Sequence, residues 1–168
     1  MSQLSLAFSS SLLVRDAQGR YLLATADQIL AAARQVIDQK VPRGTLFTSP
    51  AMVKDYLRTK LAGLEQEVFA VLFLDSQHGL IEYVEMFRGT LNATAVYPRE
   101  VVKAALLRNA AAVILSHNHP SGNSEPSQAD KLLTQRLKEA LALVDVHTLD
   151  HIVVGGEATA SFAERGLL

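Results

Sequence analysis

The sequence contains no cysteine. That excludes a disulfide framework, a thiolate nucleophile and any cysteine-held metal. A metal bound here needs nitrogen and oxygen ligands. There is also no uninterrupted apolar run near the roughly 18 residues that mark a membrane span, so no membrane contact is expected. The opening residues, MSQLSLAFSSSLLVRD, lack the basic start and long apolar stretch of a secretory signal. A cytoplasmic location is the resulting expectation. Nor is there a basic surplus, because 16 Lys and Arg stand against 17 Asp and Glu for a net charge of −1. A protein that grips nucleic acid by neutralising phosphates usually carries one. No internal repeat or low-complexity tract is visible.

What is present is a chain of 168 residues, 49% hydrophobic and 20% charged. That is the profile of a globular protein. A chain of this length buries roughly 70% of its unfolded surface and needs no disulfide or metal to fold. Residues 10–24 read as two short strands around an Asp-Ala-Gln-Gly turn. Residues 26–40 carry Ile29, Leu30, Ala33, Val36 and Ile37 at helical spacing and stop before the breaker cluster VPRG. Ser49-Pro50 suits a helix N-cap and first turn, followed by a stripe of Val53, Tyr56, Leu57 and Leu61. The seam near residues 41–46 separates an N-terminal extension, 1–45, from a main domain, 46–168.

The main domain alternates strands and helices. EVFAVLFLD from Glu67 is a continuous apolar run, as in a buried strand. Gln77-His78-Gly79 turns it into LIEYVEMFRG, and TLNATAVYP extends to Pro98. A short helix spans 99–109, a strand 111–117 and a helix about 127–143. DVHTLDHIVVGG reads as the last strand, with SFAERGLL closing the chain. The expected fold class is α/β, one central mixed sheet flanked by helices.

Residues 115–130 read LSHNHPSGNSEPSQAD. In extended backbone, His117 and His119 point to the same side, with Cα atoms about 6.5–7 Å apart. Two imidazoles leaning inward from there can meet on one ion at about 2.0–2.1 Å. Pro120 and Gly122 let the chain reverse, and Asp130 falls in the first turn of the next helix. Its carboxylate can face back as a third ligand. Two nitrogens and one oxygen leave a fourth position for water, as at a catalytic zinc. Ser127-x-x-Asp130 also reads as a helix capping box, the simpler account of that pair taken alone. His147 and His151 sit four apart in a strand-like run, about 13 Å, and cannot share one ion. His151 either lines the wall of the site or serves the core. His78 lies in a turn and reads as solvated. Glu100 at a helix start is favourable against the helix dipole.

HNHPSGNSEPSQAD fits the H-x-H-P-x(6)-S-x-x-D pattern of the JAMM (MPN) metalloproteases at every fixed position. The flanking text, from LFLDSQHGLIEYVEMFRG through LDHIVVGG to SFAERGLL, resembles the RadC-like branch of that superfamily over roughly residues 46–168. The resemblance implies a JAB/MPN-like sandwich and a zinc-dependent hydrolase, a metallopeptidase or isopeptidase. It implies His117, His119 and Asp130 as Zn2+ ligands and Ser127 as the group that steadies the oxyanion. It also implies an upstream glutamate as general base. Glu67 fits the family register, with Glu65 its near competitor and Glu82 and Glu85 in the next strand. The substrate class implied is a peptide or protein. Longer RadC relatives carry a helix-hairpin-helix region; residues 1–45 show no clear copy and look like the short variants found on mobile elements. DNA or repair proteins are partners by family association only. The alternative reading is a DNA-transaction accessory module with structural zinc, and a third is a vestigial fold used for protein contacts.

Overall fold

A computed structural model describes residues 12–89 and 95–168. The N-terminal part is a two-stranded antiparallel hairpin, β1 (Leu13–Arg15) and β2 (Tyr21–Leu23), followed by α1 (Ala26–Lys40). The turn between the strands is held by Asp16, whose carboxylate accepts from the backbone of Gln18 and Arg20 and from the Arg20 guanidinium. Residues 10 and 11 of the expected hairpin, and 90–94 of the expected extended piece, lie outside the described residues.

A five-stranded sheet forms the centre, in the order β4-β3-β5-β6-β7. Its strands are β3 (Val68–Leu74), β4 (Leu80–Arg88), β5 (Ala112–Asn118), β6 (His147–Gly155) and β7 (Ala158–Ser161). The β5–β6 pair is parallel and the other three are antiparallel, so the sheet is mixed as expected. Every residue of β3 and β5 is buried, which is why both read as unbroken apolar runs.

Alternation along β3 assigns the two faces. Ala70, Leu72 and Leu74 pack with Tyr56, Leu57 and Leu61 of α2 (Pro50–Leu61). Phe69, Val71 and Phe73 pack with Val101 and Ala105 of α3 (Pro98–Leu107) and Leu137 and Leu141 of α4 (Gln128–Ala142). The expected α2 stripe is thus the helix's buried face. Ser49 caps α2, its hydroxyl accepting from the Met52 amide, with Pro50 in the first turn.

The helix expected over 26–40 forms as α1, with Ile29 and Val36 exposed and Ile37 packed against the α2-side core. Polar contacts also tie it to α2. The Arg34 guanidinium donates to the Lys60 and Ala62 carbonyls at 3.1 and 3.0 Å, and Lys60 pairs with Asp38 at 2.9 Å. The helix expected over 99–109 ends at Leu107, and Asn109 turns the chain with φ 51°. The final strand is a hairpin: β6 ends at Gly155, Gly156 turns at φ 58°, and β7 returns beside β6. Its four residues, ATAS, carry too little apolar pattern to read as a strand.

Candidate metal centre

His117 belongs to β5 and points to the α3/α4 face, beside Phe69 of β3, with which it is paired across the sheet. His119 lies just past the strand end, its amide donating to the Val154 carbonyl at 2.8 Å. The chain then reverses, with Gly122 at φ 82°. This loop lies tight against β6. A Cβ on Gly155 would sit 2.3 Å from the Ser124 nitrogen and 2.5 Å from the Asn123 carbonyl carbon. Only glycine lets the loop approach that closely.

Asp130 enters from the first turn of α4. The capping box is present: the Ser127 hydroxyl accepts from the Asp130 amide at 3.1 Å, and the Ser127 amide donates to Asp130 Oδ2 at 2.7 Å. The Ser127 hydroxyl also donates to Oδ2, at 2.7 Å. The same carboxylate reaches both imidazoles. Its Oδ1 is 3.4 Å from His117 Nε2 and its Oδ2 is 3.5 Å from His119 Nε2. Capping and convergence on the histidines are therefore compatible, because the box orients the carboxylate toward them.

His117 Nε2 and His119 Nε2 are 3.0 Å apart. The three side chains offer ligand atoms all within 4.8 Å of one another. Four ligands held tetrahedrally at about 2.0–2.1 Å are about 3.3 Å from one another. The separations of 3.0, 3.4 and 3.5 Å straddle that figure. The tautomer of His119 fits as well. Its Nδ1 is 2.7 Å from the Asn123 carbonyl, which only accepts, so Nδ1 carries the proton and Nε2 presents a lone pair. Atoms this electron-rich and this close are stabilised by positive charge between them, whether protons on the imidazoles or a metal ion. These residues fit a divalent metal.

Electrostatics agree with the crowding. Burial pushes the Asp130 carboxyl up, but hydrogen bonds from His117 and His119, the charge of His117, and the Ser127 hydroxyl outweigh it and hold the group well below the carboxylate range. The Asp130 hydrogen bond raises His119 above the ordinary 6.5 against the effect of burial, helped by the Asn123 carbonyl and the charges of Asp130 and Glu67. Burial drives His151 well below 6.5, and the neighbouring His117 adds to that.

Glu67 is the half-buried residue immediately before β3. Phe69 faces His117 across the β3–β5 ladder. Carrying that antiparallel register two residues on sets Glu67 opposite His119, on the same face. Its charge is felt at His119. The other candidate glutamates are placed differently. Glu65 is exposed in the loop before β3. Glu82 pairs with Arg108 at 2.7 Å and is opposite Phe73, the far end of β3. Glu85 is opposite Ala70, whose side chain belongs to the α2 face, and pairs with Arg88.

Two polar residues that the sequence reading did not single out support this arrangement. Asn118 sits between the histidines and faces the other side of the sheet. Buried, it accepts from the Val68 amide at 2.8 Å and donates to the Gln66 carbonyl at 3.0 Å. It clasps the chain on both sides of Glu67. Asn118→Ala leaves the Val68 amide and Gln66 carbonyl without their partner, at about 1–3 kcal/mol for a buried polar group. Denaturant unfolding of the metal-free protein measures this, with a loss of that size expected. The second is Thr134, one turn after Asp130, buried against His151.

His151 is fully buried, resolving the choice between wall and core: it stands directly behind His117, with Nε2 2.8 Å from His117 Nδ1. Its neighbour Asp150 accepts from the Ser161 hydroxyl at 2.6 Å and the Ala163 amide at 2.9 Å. Phe162 stacks on the His151 ring at 4.8 Å. The LDH and SF segments noted in the sequence thus form one bracket around that imidazole. His147 is exposed at the opposite end of β6, and His78 is exposed in its turn at φ 63°, as expected.

Residues 47–167 match the RadC-like JAB domain family. The chain belongs to that family. It is 58% identical over 152 residues to a UPF0758 protein of Vibrio cholerae, covering 89% of this chain and 96% of that one. A UPF0758 protein of Leptothrix cholodnii is 61% identical over 83% of this chain and 63% of its own length. One from Pseudoalteromonas translucida is 57% identical over 83% and 62%. The chain therefore spans a little under two thirds of these last two relatives. The JAB/MPN superfamily includes metalloproteases, while these relatives carry only the family name. Among the described residues no helix is long and apolar enough to cross a membrane.

Proposed function

We propose that this chain is a zinc-dependent hydrolase of the JAMM type, acting on a peptide or isopeptide bond. The observation that supports it best is the convergence of His117 Nε2, His119 Nε2 and the Asp130 carboxylate, with Glu67 in register beside them. His117, His119 and Asp130 would hold Zn2+. Bound there, zinc supplies a Lewis acid and lowers the pKa of a water to about 7.

The remaining work falls to the chain's own side chains. Glu67, opposite His119, takes the proton from the attacking water and returns it to the leaving amine nitrogen. Ser127, whose hydroxyl donates to Asp130 Oδ2 at rest, would redirect that proton to the oxygen that gains charge as the carbonyl becomes tetrahedral. Asn118 keeps the Glu67 segment fixed while the proton moves. A cavity of about 140 Å³ adjoins His119, walled by Leu61, Leu64, Pro120 and Val154. Asn118 also lines it, so this cavity opens on the α2 side of the sheet, away from Asp130.

The direct test is a proteome-derived peptide mixture incubated with zinc-loaded protein. New amino termini detected by mass spectrometry support the proposal. A mixture left unchanged by fully loaded protein contradicts it.

A further inference from the structure

Beyond the three residues around the candidate metal position, the structure contains a buried chain of hydrogen bonds that starts and ends on them. His117 Nδ1 lies 2.8 Å from His151 Nε2. His151 Nδ1 lies 2.6 Å from Thr134 Oγ1. Thr134 Oγ1 lies 2.6 Å from the backbone carbonyl oxygen of Asp130. His151 and Thr134 are 0% and 1% exposed, so water does not compete for any link between them.

The direction of every link follows from its last member. A carbonyl oxygen only accepts, so the Thr134 hydroxyl donates to Asp130. With its one proton spent there, Thr134 Oγ1 accepts from His151, and His151 Nδ1 carries the proton. A fully buried imidazole is neutral unless a charge partner faces it, so His151 Nε2 is left with a lone pair. That lone pair accepts from His117 Nδ1–H. His117 is then the tautomer whose Nε2 lone pair faces His119 and Asp130.

We propose that Thr134 and His151 are positioning residues that set the tautomer and ring orientation of His117 for metal binding. The inference rests on the metal-site reading above and extends it. A histidine ligand is ordinarily braced by a carboxylate, a backbone carbonyl or a water. Here the brace is a neutral imidazole, itself polarised by a threonine on the helix that delivers Asp130. One turn of α4 therefore supplies the carboxylate at position 130 and, through position 134, orients the opposite imidazole. A neutral brace donates less electron density to the ligand than a carboxylate does.

The bracket around His151 serves the same end. Phe162 stacks on one side of its ring and Phe69 meets it edge-on at 5.7 Å. The Phe162 amide donates to the His151 carbonyl at 3.0 Å. Rotation of the imidazole, the one motion that would reverse the relay, is blocked by packing.

Two measurements test the proposal. The first uses metal-free wild-type protein labelled with 15N at its five histidines. At pH 8, His151 is expected to show the Nδ1–H tautomer pattern. A proton on Nε2 of His151 overturns the proposal, whatever zinc does. The second is zinc affinity by chelator competition for Thr134→Val and Thr134→Ser. Valine keeps the shape and removes the acceptor, so His151 loses its reason to hold the proton at Nδ1. The expected loss is roughly 10–100-fold, the range for outer partners of a metal ligand, with serine restoring most of it. Wild-type affinity in Thr134→Val, with unchanged histidine spectra, overturns the relay. Should the valine variant fail to fold, the wild-type spectrum decides. Failure of wild-type protein to bind zinc at all is a different result, and it removes the metal site rather than the hydrogen-bond chain.

Discussion

Asp130→Ala is expected to abolish zinc binding, and His117→Ala to do the same. The affinity loss should exceed the roughly 10–100-fold typical of losing an outer partner, because a ligand itself is removed. Asp130 contributes a carboxylate that reaches both imidazoles. Without it, two imidazoles face each other at 3.0 Å and the third ligand is gone. The same change also removes the acceptor for the Ser127 amide and hydroxyl. Loss of the capping pair costs the start of α4 about 1 kcal/mol. Asp130→Ala should therefore lower metal-free stability slightly as well as empty the site. His117→Ala leaves the cap intact while removing a buried ring and the partner of His151. Zinc content after dialysis against a weak chelator reads both. Retention of one equivalent by either variant contradicts the assignment of the ligands.

Glu67→Gln is expected to separate binding from chemistry. The glutamine keeps size and polarity but accepts no proton at neutral pH. Zinc content should match wild type, because no ligand is touched. Amide hydrolysis should fall by about 10²–10⁴-fold, the usual contribution of a positioned base. Glu65→Gln serves as the comparison, being exposed in the loop before β3. A large loss in Glu65→Gln with little in Glu67→Gln would reverse the choice between the two. The structural argument for Glu67 is register: Phe69 with His117 fixes residue 67 opposite residue 119.

That register shows why the site was only partly legible in the sequence. The His117–His119 pair was readable because a strand's period of two is a local property. Asp130 was readable as either cap or ligand, and the structure shows that one carboxylate does both. Glu67 could be preferred only by resemblance, since its approach to His119 depends on how β3 pairs with β5. His151 is the clearer case. Spacing correctly separated it from His147, yet its place behind His117 arises from the parallel pairing of β5 with β6, some 34 residues away in sequence. Thr134 was visible in principle, as a hydroxyl one helical turn from Asp130 on the same face. Asn118 carried a signal too: a polar side chain alternating with the histidines must face the opposite, apolar side of the sheet. The fold itself read more easily, because β3 and β5 are buried on both faces and α2 shows one clean stripe.

The central claim is that one divalent cation is held by His117, His119 and Asp130. A crystal grown with zinc and measured at its absorption edge tests it most directly. The account predicts one anomalous peak about 2.0–2.1 Å from Nε2 of both imidazoles and from an Asp130 oxygen, with a fourth position free of protein. A peak bound elsewhere, or a fourth protein atom closing the coordination, would contradict it.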